Sequence, residues 1–491
     1  MNSATSGLWK SVQERNKGYA PIPRVPQLDP FLGLDMAFSQ VKSVKTHTFL
    51  QWLRSLHIRA KAKTVSFSFL GKRFIHITEP ENMKALFSGA RWKDFGVEPM
   101  RLNRHATMPF AHKGVGTVDG PEWEVSRSLI MPHFTPNVTK NMECVERHTD
   151  ILMSIIPRDG STFDLQTLVQ RWFLDTSTEF MFGEPVGCLQ KPELAEVAWA
   201  MTEVLRGLRF RLMAVQWLWL FRHKPWYDAI NVVHNYINPL IDKAYNERSK
   251  RQAEASSAND QDKQPERTDM LWSMVPHFGG DRKQLRSELL VVFATTNDTT
   301  SLLLSNVFWN FARRPDIYQK VREEVLSYGS DAPLTYDCLR SMKYLDAVLN
   351  ETHRLYPINV TQTRTCVKDS PLPVGGGPDR KAPIMIRKGD VIRVNKATMF
   401  RDKDLWGEDA EEFKPERWAT ISPSWGFMPF GGGPRRCPAQ ARVTTEASYF
   451  IARFARLFKA VENRDDNLAY QPNIRVSPAH MNGVKVSVIP T

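Results

Sequence analysis

The sequence predicts a mainly α chain with a smaller β region, and three observations carry that prediction. From about residue 120 to 355 apolar residues recur mainly at helical spacing. Thr64-Val65-Ser66-Phe67-Ser68-Phe69 alternates polar and apolar and, after a Gly-Lys turn, Arg73-Phe74-Ile75-His76-Ile77 follows, the pattern of a β-hairpin. Residues 371–394 return to strand and turn character, with Gly375-Gly376-Gly377-Pro378 as punctuation and Val391-Ile392-Arg393-Val394 as a short strand.

Taken in order, the first 20 residues are polar and Ala20-Pro21-Ile22-Pro23-Arg24-Val25-Pro26 is too rigid and too poor in donors for a helix interior. Residues 1–35 therefore read as a polar tail and proline-rich hinge, and residues 36–491 as one domain. The segment Leu212–Phe221 is apolar, aromatic and followed by Arg222, His223 and Lys224, which fits either an interfacial segment or a core helix. Ala253–Glu266 is a polar tract expected to be a solvated loop. Val291–Ser305 is an apolar helical run interrupted by Thr295-Thr296-Asn297-Asp298-Thr299-Thr300. Gly375–Gly377 is no phosphate loop, because neither Lys-Ser/Thr nor a long helix follows.

A net charge of +13 suits an anionic membrane surface or an acidic protein partner. The basic residues follow no RNA or DNA motif, so no nucleic-acid role is expected. Five scattered cysteines with no Cys-x-x-Cys pair suggest neither a disulfide framework nor a zinc site. No run of about 18 apolar residues is present to form a membrane-spanning helix.

Phe430-Gly431-Gly432-Gly433-Pro434-Arg435-Arg436-Cys437 packs a glycine turn, cations and one cysteine into eight residues. A thiolate on a reactive iron must stay deprotonated and unoxidised, and glycines let backbone amides approach its sulfur. The bland alternative is a surface turn with an inert cysteine. Glu351-Thr352-His353-Arg354 lies in a helical stretch, so Glu351 and Arg354 share a face, while Phe413-Lys414-Pro415-Glu416-Arg417-Trp418 adds another arginine. In Trp123-Glu124-Val125-Ser126-Arg127 the spacing of four aligns Trp123 with Arg127 on one helix face. The threonines of the interrupted run are either functional or a polar kink with hydroxyls bonded back to carbonyls four residues earlier.

The cysteine turn resembles the cytochrome P-450 pattern Phe-x-x-Gly-x-Arg-x-Cys-x-Gly, departing from it at Ala439. The other motifs are similar to that family's Glu-x-x-Arg, Pro-Glu-Arg, Trp-x-x-x-Arg and Ala/Gly-Gly-x-Asp/Glu-Thr-Thr segments. The resemblance spans most of the chain, and loose matches near Asp29–Asp35 and Leu372–Gly377 point to the fungal alkane and fatty-acid hydroxylase-like branch.

That resemblance implies the cytochrome P-450 fold, a helical body over heme b (iron protoporphyrin IX) with smaller β sheets. It implies Cys437 as axial iron ligand, Phe430 and Gly433 around the sulfur, and Arg435, Trp123, Arg127 and Arg364 toward heme propionates. Glu351, Arg354 and Arg417 would support the heme loop, Asp298 would supply or relay protons, and Thr299 would position water for oxygen activation. Thr295 and Thr296 stand where the family carries small residues. They are pocket candidates with Phe110, Val360 and Met481.

The implied function is a monooxygenase that oxidises a hydrophobic compound, lipid-like or a fungal secondary metabolite, with electrons from NADPH through a reductase and cytochrome b5 as an optional further donor. A reductase-independent rearrangement enzyme or peroxygenase, and a non-catalytic heme carrier or sensor, are the rivals. The expected location is the cytosolic face of the endoplasmic reticulum membrane if an anchor lies upstream of this chain, and the cytoplasm otherwise.

Overall fold

The computed structural model describes residues 18–213, 217–218, 223–255, 267–296, 298–421 and 424–491. Most of the Leu212–Phe221 segment and of the polar tract 253–266 lies outside the described residues. The chain divides into two compact units, each assembled from separated stretches.

The first unit comprises residues 1–99, 347–437 and 470–481 and holds the predicted β region. Its hairpin runs Val65–Phe69 and Lys72–Ile77, paired Val65 to His76 through Phe69 to Lys72. The reversal falls on Leu70-Gly71, both at positive φ, one residue before the Gly-Lys step expected from sequence. The five-stranded sheet continues from Lys72–Ile77 to Val391–Asn395, Thr361–Cys366 and Phe95–Gly96. Only the junction between Lys72–Ile77 and Val391–Asn395 is parallel.

Ser370–Gly376 and Ala382–Ile386 form a separate ribbon, whose glycine turn has Gly375 at φ 111° and Gly377 at φ 76°. Ile75, Ile77, Phe87, Ile384, Ile392, Phe400 and Trp406 meet in one buried cluster. Alternate residues of the sheet feed that core, which fixes its register.

The second unit comprises residues 100–346, 438–469 and 482–491 and is mainly helical. Leu165–Phe182 begins on Asp164, whose side chain accepts from the Gln166 amide, and stops at Gly183 with φ 80°. It packs into an aromatic core with Gln440–Leu457 and Thr299–Arg313, in which Trp172 meets Phe450 at 5.1 Å and Phe308 meets Phe454 at 4.6 Å. A small antiparallel sheet of Phe163–Asp164, Lys485–Pro490 and Phe458–Asn463 closes one edge.

The apolar run Val291–Ser305 is not one helix. Arg282–Thr296 ends, and Thr299–Arg313 starts with Asp298 as its N-cap at φ −134°. Side chains that bond locally to their own backbone compete with the helical ladder, and this run places five Thr and Asp residues around residue 297. Hydrophobic periodicity continues through such a break.

Candidate active site

In the first unit the structure gathers Phe430, Gly433 and Cys437 into one tight loop. The Cys437 amide donates to the Phe430 carbonyl at 3.0 Å and the Arg436 amide to the Gly433 carbonyl at 3.0 Å. Gly431 and Gly433 have φ of 75° and 67°. A Cβ on Gly433 would lie 1.9 Å from the Phe87 carbonyl oxygen, so that position needs glycine for both conformation and space. Cys437 and Arg435 are half-buried at the end of this loop. Phe430 packs edge-on against His353 at 5.0 Å.

Three other thiols are raised by burial. Burial pushes Cys144 and Cys366 up to about 12. Burial, reinforced by the Asp175 carboxylate, also raises Cys188. These are inert, protonated thiols of the kind that the bland reading of Cys437 describes.

Glu351, Arg354 and Arg417 form one buried network. Arg354 is 0% exposed and places all its N–H donors: Nε and Nη2 on the two Glu351 carboxylate oxygens at 2.8 Å, Nη1 on the Phe400 and Ala410 carbonyls at 2.9 and 2.6 Å, and Nη2 also on the Glu412 carbonyl at 2.9 Å. Arg417 Nε donates to Glu351 at 3.0 Å, and its Nη1 to Asp409 at 3.0 Å. Sequence reasoning missed the rest of the shell: the Lys414 amide at 2.8 Å and Trp418 Nε1 at 3.1 Å also donate to Glu351. The bidentate, saturated geometry turns an otherwise costly buried ion pair into a clamp on the segment that precedes the Cys437 loop.

Arg364 lies on Thr361–Cys366, 4% exposed, with its guanidinium 4.9 Å from the Phe87 ring centroid and Nη1 donating to the Thr363 carbonyl at 3.0 Å. Lys396, which the sequence reading passed over, is 1% exposed and interacts electrostatically with both Arg364 and Cys437. Buried cations beside a half-buried thiol in a glycine cradle fit an anionic prosthetic group with a thiolate-ligated iron. Val360 is buried and Met481 is exposed.

In the second unit Trp123 and Arg127 share the helix Gly120–Ile130, with Trp123 buried and Arg127 half-buried. That helix is tied down by Ser126, whose hydroxyl donates to Glu288 at 2.5 Å. Burial holds the Glu288 carboxyl above its usual range, and the Ser126 and Val115 hydrogen bonds oppose the shift.

Asp298 is buried at the start of Thr299–Arg313, and its carbonyl accepts from the Leu302 amide at 2.9 Å. The threonine hydroxyls are bonded back along the chain: Thr295 to the Val292 carbonyl at 2.8 Å, Thr296 to the Val292 carbonyl at 3.2 Å and Thr299 to the Thr295 carbonyl at 3.3 Å. Thr295 is exposed, and Thr296 and Thr299 are half-buried. Phe110 is buried against His234, whose Nε2 lies 2.8 Å from the Phe110 carbonyl.

Comparison with known proteins gives the family. The cytochrome P450 family model matches residues 23–478. Cytochrome P450 monooxygenase apdE of Emericella nidulans is 50% identical over 482 residues, 98% of this chain and 90% of the relative. The cytochrome P450 monooxygenases iccC of Talaromyces variabilis and iliC of Neonectria sp. are 47% and 46% identical, each over 98% of this chain and 94% of the relative. With a family match across nearly the whole sequence and a cysteine loop, buried clamp and helical body of the expected kind, the chain belongs to the cytochrome P450 family of heme-containing monooxygenases.

Proposed function

We propose that this protein oxidises a hydrophobic organic compound, lipid-like or a fungal secondary metabolite, with electrons from NADPH passed through a reductase. The observation that carries the reading is the Cys437 loop, a half-buried thiol in a glycine cradle behind the saturated Glu351–Arg354–Arg417 clamp. When bound, the heme supplies the oxygen-activating chemistry, with the thiolate as its electron-donating ligand.

Every other role falls to side chains of the chain. Cys437 is the iron ligand, and Phe430 and Gly433 shape and shield the sulfur's surroundings. Arg435, Arg364, Trp123 and Arg127 are donors for propionate carboxylates. Asp298 holds and passes a proton, and the Thr299 hydroxyl orients water for that transfer. Thr295 and Thr296, with Phe110, Val360 and Met481, are the candidates for contact with substrate. Leu28, Phe31 and Phe38, which are 93%, 83% and 73% exposed, support a location at a membrane surface, the cytosolic face of the endoplasmic reticulum.

The test is oxygen uptake and product formation with a fungal reductase and NADPH, across a panel of lipids and polyketide-derived metabolites. Coupled, reductase-dependent turnover is the expected result. Turnover without reductase or NADPH would transfer the assignment to a peroxygenase or rearrangement enzyme, and heme binding without turnover of any kind to a carrier or sensor.

A further inference from the structure

Among the described residues Lys396 is the only buried lysine, at 1% exposed. It opens the short helix Lys396–Met399, directly after the strand Val391–Asn395. An ammonium group carries three donors, yet among the described residues the acceptor that Lys396 meets is the Pro429 carbonyl at a long 3.4 Å. Pro429 is the residue before Phe430, so Lys396 is held at the entrance of the cysteine loop.

Arg364, a second buried cation, lies on Thr361–Cys366, the strand paired with Val391–Asn395, and Cys437 closes the loop that Pro429 opens, its amide bonded to the Phe430 carbonyl. A buried cation with one weak acceptor is costly unless an anion completes its surroundings. A thiolate holding heme iron would be that anion.

We propose that Lys396 is a charge-balancing residue of the cofactor site: a buried cation, held against the Pro429 carbonyl, that offsets the negative charge of the Cys437 thiolate and so tunes the reduction potential and retention of the bound heme. The inference rests on Cys437 being the iron ligand. Removing a nearby positive charge makes it less favourable for the iron to gain an electron and leaves more electron density on the sulfur.

The experiment compares the heme-loaded full chain with Lys396→Met, which keeps length and removes charge, and Lys396→Arg, which keeps charge. Readouts are the ferric/ferrous midpoint potential, the iron–sulfur stretching band in resonance Raman spectra, and the rate of heme loss to excess apomyoglobin. In Lys396→Met the reduction equilibrium constant falls about tenfold, roughly 59 mV to the negative side for one electron. Its iron–sulfur band moves and heme leaves severalfold faster, while Lys396→Arg stays close to wild type.

A Lys396→Met protein with wild-type potential and iron–sulfur band would overturn the proposal. So would an Arg variant shifted as far as the Met variant, which would make shape the determinant. Should Lys396→Met fail to load heme while Lys396→Arg loads it, charge is required and the proposal stands; failure of both assigns Lys396 to packing and ends it. The parent reading fails separately, through a wild-type protein whose reduced carbon monoxide complex lacks a thiolate-type band.

Discussion

The clamp around Glu351 and the threonine-rich break at residues 295–300 are both polar segments set in apolar surroundings, and they resolve that conflict in opposite ways. In the clamp, side chains from residues 351, 354, 409, 417 and 418 satisfy one another, and Arg354 has no donor left over. At the break, Thr295, Thr296 and Thr299 bond to carbonyls of their own chain segment, and Asp298 stands outside the helix that Thr299 opens. A closed network specifies a single geometry. Local back-bonds can be exchanged for a ligand or water at little cost, as a reacting site requires.

The largest effect should come from opening the clamp. Arg354→Ala strands the Glu351 carboxylate in a dry site, a loss of about 3–5 kcal/mol. Soluble yield and heme content should both collapse, and a variant that loads heme normally would show that the network is dispensable.

Next is Asp298→Asn at the break. If Asp298 passes a proton, turnover falls on the order of 10²-fold or more while the fold and the reduced carbon monoxide spectrum are retained. Product formation set against peroxide release reads this directly, and an equal fall in heme content would make Asp298 merely structural.

The first unit should also resist acid poorly. Burial holds His353 and His57 down to about 4, and His76 well below its ordinary value of 6.5. As pH falls below 6.5 the unfolded chain takes up protons that the folded one refuses, so stability present above 6.5 drains away toward 4. Each histidine contributes a slope of about 1.4 kcal/mol per pH unit. Urea midpoints measured between these pH values check the sign, and a stability that rises on acidification would refute it.

Gly433→Ala sharpens the comparison from the side of the loop. The positive φ and the clash with the Phe87 carbonyl should cost about 1–3 kcal/mol, seen as a lower Tm and reduced heme occupancy.

The smallest effect is expected for Thr295→Ala. Its exposed hydroxyl bonds only to its own helix among the partners described, so stability should change by less than about 0.5 kcal/mol. Product distribution or coupling should shift, and unchanged values for both would remove Thr295 from the substrate site.

The sequence was most legible where chemistry demands a local pattern. Cys437 with its glycines, the Glu351–Arg354 spacing, and the hairpin at residues 65–77 each lie within a dozen or so residues and carry their own signature. Trp418 and the Lys414 amide were invisible because they reach Glu351 across 67 and 63 residues of chain, a separation that no spacing rule spans. Lys396 was passed over for the same reason: nothing in Asn395-Lys396-Ala397 announces burial. The strand Thr361–Cys366 went unread because its alternation is of threonine with other polar residues, a β signal without hydrophobic contrast. The interruption at residues 295–300 was legible in its density of Thr and Asp, and the polar kink with back-bonded hydroxyls was one of the two readings that it offered.

The account stands on Cys437 as the iron ligand, and the reduced carbon monoxide difference spectrum of the wild type beside Cys437→Ser tests it most directly. The wild type should give a thiolate-type Soret band that the serine variant loses. A wild-type band of the imidazole type, or a thiolate-type band that survives in Cys437→Ser, would contradict it.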